Sequence, residues 1–236
     1  MNHAANLTVT VPLPKRCDNA SVGVVITDPA GRFLMFDRVT FPAGVAPVAG
    51  HVFDEHEGYA DAARAEVAEE LGLTVTGLEA TRVGGWRSNR CRRVPGSRGT
   101  GHQWQIFTAT VTGALAPSVR ETRNARWVTA NEMQELAHRT TEYAVGLLTT
   151  GEFTARPGLE PVWCRWMADL GVIRLSRGAL LVLEDLAAAG DPHATGEYAP
   201  TVCDVSKPRH RDPVDSWICG ELLSSGPCPR HGTRLP

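Results

Sequence analysis

Apolar positions along the chain change period several times, and each change marks an element. Val22, Val24 and Ile26 alternate with smaller residues, Asp28-Pro29-Ala30-Gly31 supplies a turn, and Phe33, Met35 and Asp37 carry a return strand. That pattern predicts a β-hairpin over residues 20–37. A proline-rich stretch, 42–49, leads into Gly50. The next segment switches to helical spacing, from about Gly58 or Ala60 to Leu71, with Val67, Leu71 and Ala60 as its apolar stripe and Gly72 as a left-handed stop. Thr74–Val83 and Gln103–Thr112 return to strand patterns, and Asn124–Val128 gives one more short strand. Thr129-Ala130-Asn131-Glu132 has the spacing of a capping box and opens a helix through Leu136.

Residues 138–192 read as three helices. The first spans Thr140–Leu148, and the second follows Pro161, a favourable first-turn residue. The third starts at Ser176, is apolar nearly all round from Ala179 to Ala189, and ends at Gly190. A helix apolar on most faces must be covered, by the preceding domain, by its own neighbours or across a homodimer. Trp163, Trp166, Met167 and Leu170 recur at helical spacing, which assigns them to packing.

Composition narrows the class. With 236 residues, 42% hydrophobic and 21% charged, the chain has globular values, and a net charge of −2 argues against nucleic acid as a partner. No apolar run approaches the ~20 residues that span a bilayer. Met1 to Arg16 lacks an apolar signal core, which predicts a cytoplasmic protein without membrane contact. Six cysteines scattered over such a chain suggest free thiols or metal ligands, not a disulfide framework.

The chemistry concentrates in Ala65-Glu66-Val67-Ala68-Glu69-Glu70-Leu71-Gly72-Leu73. On a regular helix Glu70 lies roughly 40° from Glu66, and Glu69 about 60° to the other side. Three carboxylates so close repel one another on an ordinary acidic helix face. A hard, oxygen-preferring divalent cation, Mg²⁺ or Mn²⁺, removes the conflict.

Together with Gly50 and Glu57, these residues resemble the box of the Nudix hydrolase family: glycine, a spacer, glutamate, seven residues, then Arg-Glu-apolar-any-Glu-Glu-any-Gly-apolar. Glu57, Glu66, Val67, Glu69, Glu70, Gly72 and Leu73 match in order. The loop after Gly50 carries one extra residue, and Ala65 stands at the arginine position. Arg64 is adjacent but points ~160° away from Glu66, so it cannot substitute. The strand–helix order, with Glu121 upstream and Trp127 at the last strand, also resembles the end of a Nudix domain.

The resemblance covers about residues 18–137 and implies an α/β/α sandwich with a mixed sheet. Around it lie an N-terminal segment (1–17), a helical extension (138–192) and a Cys/His-containing tail (193–236). It further implies that Glu66, Glu69 and Glu70 bind Mg²⁺ with help from Glu57 and the Gly50 carbonyl. Glu69 or Glu121 would then act as the general base in cleaving a phosphoanhydride, in a nucleoside diphosphate-linked compound or a nucleotide.

The stretch from Arg82 to Arg98 holds Arg82, Arg87, Arg90, Arg92, Arg93 and Arg98 and no acid, with Trp86 inside it and Trp104 beyond. Arginine forks match phosphate oxygens and indoles stack on a base or sugar. Arg82, Arg87, Trp86, Trp104 and Arg38 are therefore candidate substrate contacts. In the tail, Cys203, Cys219, Cys228 and His231 are a candidate structural Zn²⁺ set, with a two-residue gap in Cys228-Pro229-Arg230-His231. Cys17, Cys91 and Cys164 show no pairing pattern. Ala65 and the lengthened loop leave a second reading open, a Nudix-fold sensor that binds a nucleotide-like ligand without cleaving it.

Overall fold

The computed structural model describes residues 15–190. Its framework is two β-sheets. The first has the order β4 (Val48–His51), β1 (Ala20–Ile26), β6 (His102–Thr112), β5 (Thr74–Arg87); the second has the order β3 (Val45–Ala46), β2 (Phe33–Arg38), β7 (Thr122–Val128). β1 runs parallel to β6 and antiparallel to β4, so the larger sheet is mixed. Helices cover both sides, as the expected α/β/α sandwich requires.

The alternation of strand side chains divides the interior into two cores. Val22, Val24, Ile26, Leu34, Phe36 and Phe107 point towards α1 (Tyr59–Leu71), meeting Ala62, Ala63, Val67 and Leu71. Val25, Met35 and Ile106 point the other way. They meet α2 (Ala130–Ala144), α3 (Thr150–Ala155), α4 (Pro161–Asp169) and α5 (Arg177–Ala189), with Trp163 and Trp166 at the centre. Both tryptophans are completely buried, as their helical spacing predicts.

Several expectations need correction. The strands of the 20–37 unit exist, and Asp28 closes their turn by accepting the Gly31 N–H. Beyond a single bridge between Thr27 and Phe33, however, β1 and β2 separate into different sheets. Each has both faces covered, so neither serves as a two-stranded ribbon. Ala60 is exposed on α1, and Ala63 takes its place in the stripe with Val67 and Leu71, four residues apart. β5 continues to Arg87, which puts Arg82, Trp86 and Arg87 on a strand instead of a loop.

α2 runs unbroken from Ala130 to Ala144, so the boundary expected after residue 137 falls inside a helix. Ala137-His138-Arg139-Thr140 contains no glycine or proline to stop it. Its capping box is present, with the Glu132 N–H donating to Thr129 Oγ1 and the Thr129 N–H donating to Glu132. Thr149 and Glu152 form a second such box and start α3. No helix among the described residues is long and apolar enough to cross a membrane.

Candidate active site

One face of α1 is buried in the first core, and its opposite side opens on a cavity of about 230 Å³. Glu66, Glu69, Glu70, Gly50, Arg38 and Glu121 line it, together with Asp54, Glu55, His56, Arg92 and Arg93. The three box carboxylates therefore converge as their spacing predicts. Gly72, in the left-handed conformation at φ 68°, ends the helix just after them.

Glu70 is 4% exposed and accepts the Ala49 N–H at 3.2 Å. A methyl group on Gly50 would overlap the Glu66 carboxylate, so only glycine lets this backbone approach it. β4 thus binds Glu70 through a main-chain N–H and leaves room for Glu66 beside it.

The electrostatics are those of crowded acids. Burial, then the charges of Glu69 and Glu121, push the Glu66 carboxyl up to about 7. Burial and Glu66 hold Glu70 well above the usual carboxylate range. Arg38 is the strongest opposing cation at both groups. Its guanidinium is fixed by donating to the Pro42 carbonyl at 3.0 Å and to Thr40 Oγ1 at 3.4 Å. Arg38 therefore brings a positive charge from β2 to the glutamate cavity. Arg64 points the other way and donates to the Val75 carbonyl at 3.3 Å.

The donor set fits a hard dication: carboxylate oxygens of Glu66, Glu69 and Glu70 beside a backbone carbonyl, in a site whose acids lack sufficient positive charge. Glu57 does not line this cavity. It is exposed in the extra-residue loop, where its N–H donates to Asp61 at 3.3 Å. Glu55 and His56 occupy the wall instead.

The arginines divide. Arg92 and Arg93 face the glutamates across the cavity, with Arg93 also pairing with Asp54. Arg87 turns away, lying over the Trp166 ring at 5.0 Å and 3.5 Å from Asp169. Arg82 is exposed on β5, and Trp86 stacks under Arg98 at 4.1 Å. Trp104 is 6% exposed, packed edge-on against Trp163, with its indole N–H donating to Asn89 at 3.2 Å. It borders a smaller recess of about 60 Å³ that continues from the main cavity past Gly50 and His51. Of the five proposed substrate contacts, only Arg38 faces the glutamates.

Glu160 escaped sequence reading. It caps α4 by accepting the Trp163 N–H at 3.3 Å and lies 2% exposed in the wall of that recess. Burial lifts its carboxyl to about 7, against the pull of Arg38. The Glu-Pro pair at 160–161 was the available signal, an acidic cap before a first-turn proline. The tail residues Cys203, Cys219, Cys228 and His231 lie outside the described residues.

A mixed-sheet sandwich with a glutamate-lined cavity at one end of its first helix is a Nudix-type arrangement. The family model described as NUDIX domain matches residues 18–146, more than half of the chain, and the chain belongs to the NUDIX family. Among solved structures it is similar to a MutT NUDIX hydrolase from Burkholderia pseudomallei, with 16% identity over 50% of this chain and 85% of that one and a TM-score of 0.41. It is also similar to an Ap4A hydrolase from C. elegans, with 22% identity over 49% of this chain and 83% of that one and a TM-score of 0.38. A dihydroneopterin triphosphate pyrophosphohydrolase from E. coli gives 22% identity, 49% and 84% coverage and a TM-score of 0.38. No curated protein matches the chain.

Proposed function

We propose that the protein is a metal-dependent hydrolase that cleaves a phosphoanhydride bond in a nucleoside diphosphate-linked compound or a nucleotide. The carrying observation is the opposition of charges across one cavity: Glu66, Glu69 and Glu70 on one wall, Arg38, Arg92 and Arg93 on the others. Carboxylates alone would repel a diphosphate, and arginines alone would bind it without activating water. Both sets in one cavity supply a cation seat and a phosphate seat.

Glu66 and Glu70 would hold Mg²⁺ or Mn²⁺, with Glu69 and the Gly50 carbonyl beside them. When bound, such a cation neutralises the diphosphate and acidifies an attacking water. The chain's own contribution is orientation. The Ala49 N–H fixes Glu70, and the missing side chain at Gly50 admits Glu66. The Arg92 and Arg93 forks would take up phosphate oxygens. Glu69, exposed at the rim, and Glu121, half-buried opposite, are the candidates to accept the proton from water.

The test is a screen of nucleotide and diphosphate-linked compounds with Mg²⁺, read by product identity, on the parent and on a Glu69→Gln/Glu70→Gln double variant. Turnover by the parent and none by the variant is expected, with chelation also stopping the parent. Calorimetric binding of a ligand that emerges intact, with or without metal, would overturn the hydrolase and establish the sensor that Ala65 suggests.

A further inference from the structure

We propose that Cys17, His51, Cys91 and His102 form a structural tetrahedral Zn²⁺ site that fastens the arginine-bearing loop to the end of the sheet beside the glutamate cavity. The four donor atoms lie within 4.8 Å of one another. Cys17 Sγ is 3.5 Å from His51 Nε2 and 3.1 Å from His102 Nε2. Tetrahedral bonds of about 2.3 Å to sulfur and 2.0 Å to nitrogen put ligand atoms roughly 3.3–3.8 Å apart, so the set is already close to the required spacing.

Four separate stretches of chain deliver these ligands. Cys17 precedes β1, His51 ends β4, His102 begins β6, and Cys91 sits in the loop after β5. β1 lies between β4 and β6, so their ends at Ser21 bring His51 and Trp104 to its two sides, with His102 two residues before the latter. No tight local motif announces such a set, because Cys17, His51 and Cys91 are far apart in sequence and no two of the ligands form a close pair.

Hydrogen bonding around His102 settles which nitrogen carries the proton. The Trp104 indole N–H, a donor only, points at Asn89 Oδ1 at 3.2 Å, which fixes that atom as an acceptor. The same oxygen lies 2.9 Å from His102 Nδ1, which must therefore be the protonated nitrogen. His102 Nε2 is left with its lone pair aimed at the cluster. A carbonyl oxygen behind a histidine in this manner is the outer support that metal-bound imidazoles use.

Charge and chemistry agree on the ion. Two thiolates and two neutral imidazoles around Zn²⁺ sum to zero net charge, which suits a half-buried to buried site. Binding releases two protons, one from each thiol. Mixed sulfur and nitrogen donors in a tetrahedron select zinc over Mg²⁺, which needs six oxygens. The ion is thus distinct from the one proposed for the glutamates.

The loop is also held from its other side. Arg90 donates its N–H to the Ala187 carbonyl at 2.8 Å and its guanidinium to the Ala189 carbonyl at 3.0 Å, at the open end of α5. Cys91 follows immediately, then Arg92 and Arg93 at the cavity wall. Zinc would complete a clamp that aims those two arginines.

The test uses the full untagged chain loaded with Zn²⁺, and separately with Co²⁺ as a spectroscopic substitute. X-ray absorption of the zinc form should give two sulfurs at about 2.3 Å and two nitrogens at about 2.0 Å. The cobalt form should show intense thiolate-to-metal and tetrahedral bands. Cys91→Ser, on a half-exposed loop position, should remove one zinc equivalent and those bands, and Cys17→Ser should do the same. Cys228→Ser, in the tail, should leave both unchanged. Absence of thiolate bands in the parent would overturn the site. So would bands that survive Cys17→Ser and Cys91→Ser but vanish in Cys228→Ser.

Discussion

The two cores on either side of the sheets treat polar groups in opposite ways. On the helical side, Trp163 and Trp166 fill the centre, and Glu160, the one buried carboxylate there among the described residues, is turned into a helix cap. On the α1 side, a helix with an apolar inner face turns Glu66 and Glu70 into a shared cavity, where burial raises the proton affinity of both, helped by Glu69 and Glu121 at Glu66 and by Glu66 at Glu70. Buried like charges are costly, and nothing in the packing of α1 calls for them. The difference teaches where to look for chemistry: at the core whose burial makes physical sense only with a cation added.

The sharpest way to break this contrast is Glu70→Gln. It should lower turnover by about three orders of magnitude or more, through loss of metal-assisted charge stabilisation. Thermal melting of the metal-free variant should stay at or above the parent's, since a buried charge has gone. A melting point that falls with activity would make Glu70 a structural residue.

On the opposite side the signs reverse. Trp166→Ala should cost about 3–5 kcal/mol of stability, read by denaturant unfolding, because it empties a completely buried site. Activity per folded molecule should survive.

Glu160 tests the boundary between the two regimes. Its folded value of about 7 lies above the ordinary 4.5, with burial as the main cause. The neutral form therefore favours folding, fully below about pH 4.5, and that contribution is lost as pH rises through about 7. Glu160→Gln should stabilise the protein by about 1–3 kcal/mol at pH 8 and leave it nearly unchanged at pH 4. Equal effects at both values, measured by thermal unfolding, would place the carboxyl's titration elsewhere.

The smallest effects separate two arginines of one sequence run. Arg92→Ala should raise KM about tenfold with little change in kcat, as expected for a lost phosphate contact. Arg87→Ala should leave KM alone and cost about 1 kcal/mol, since its partners are Asp169 and the Trp166 face. Steady-state kinetics beside melting curves distinguish them.

Much of this was legible from residues alone. Helical spacing and the glycine stop place the carboxylates together, and the capping box at Thr129 and Glu132 starts α2 where expected. Local rules sufficed there, because a helix fixes the relation of residues three and four apart. They failed where long-range pairing decides. The turn at Asp28–Gly31 looks like a hairpin, yet β1 and β2 part into separate sheets. Glu57 keeps the expected spacing to Glu66, but the loop after Gly50 is one residue longer and leaves it outside the cavity. Arg82, Arg87 and Trp86 share a run with Arg92, while the long β5 points them elsewhere.

Chemical identity and short-range geometry belong to the order of residues: three glutamates on one helical face, two tryptophans on another, and the family they indicate. Which arginines share a cavity with those glutamates, that Arg38 is the main cation acting on Glu66 and Glu70, and that Cys17, His51, Cys91 and His102 meet at all, were decided by the tertiary structure. The physical reason is reach. Periodicity carries information over a few turns, whereas a site assembled from the ends of β1, β4 and β6 and a loop depends on strand order and register, which only the packed sheet defines.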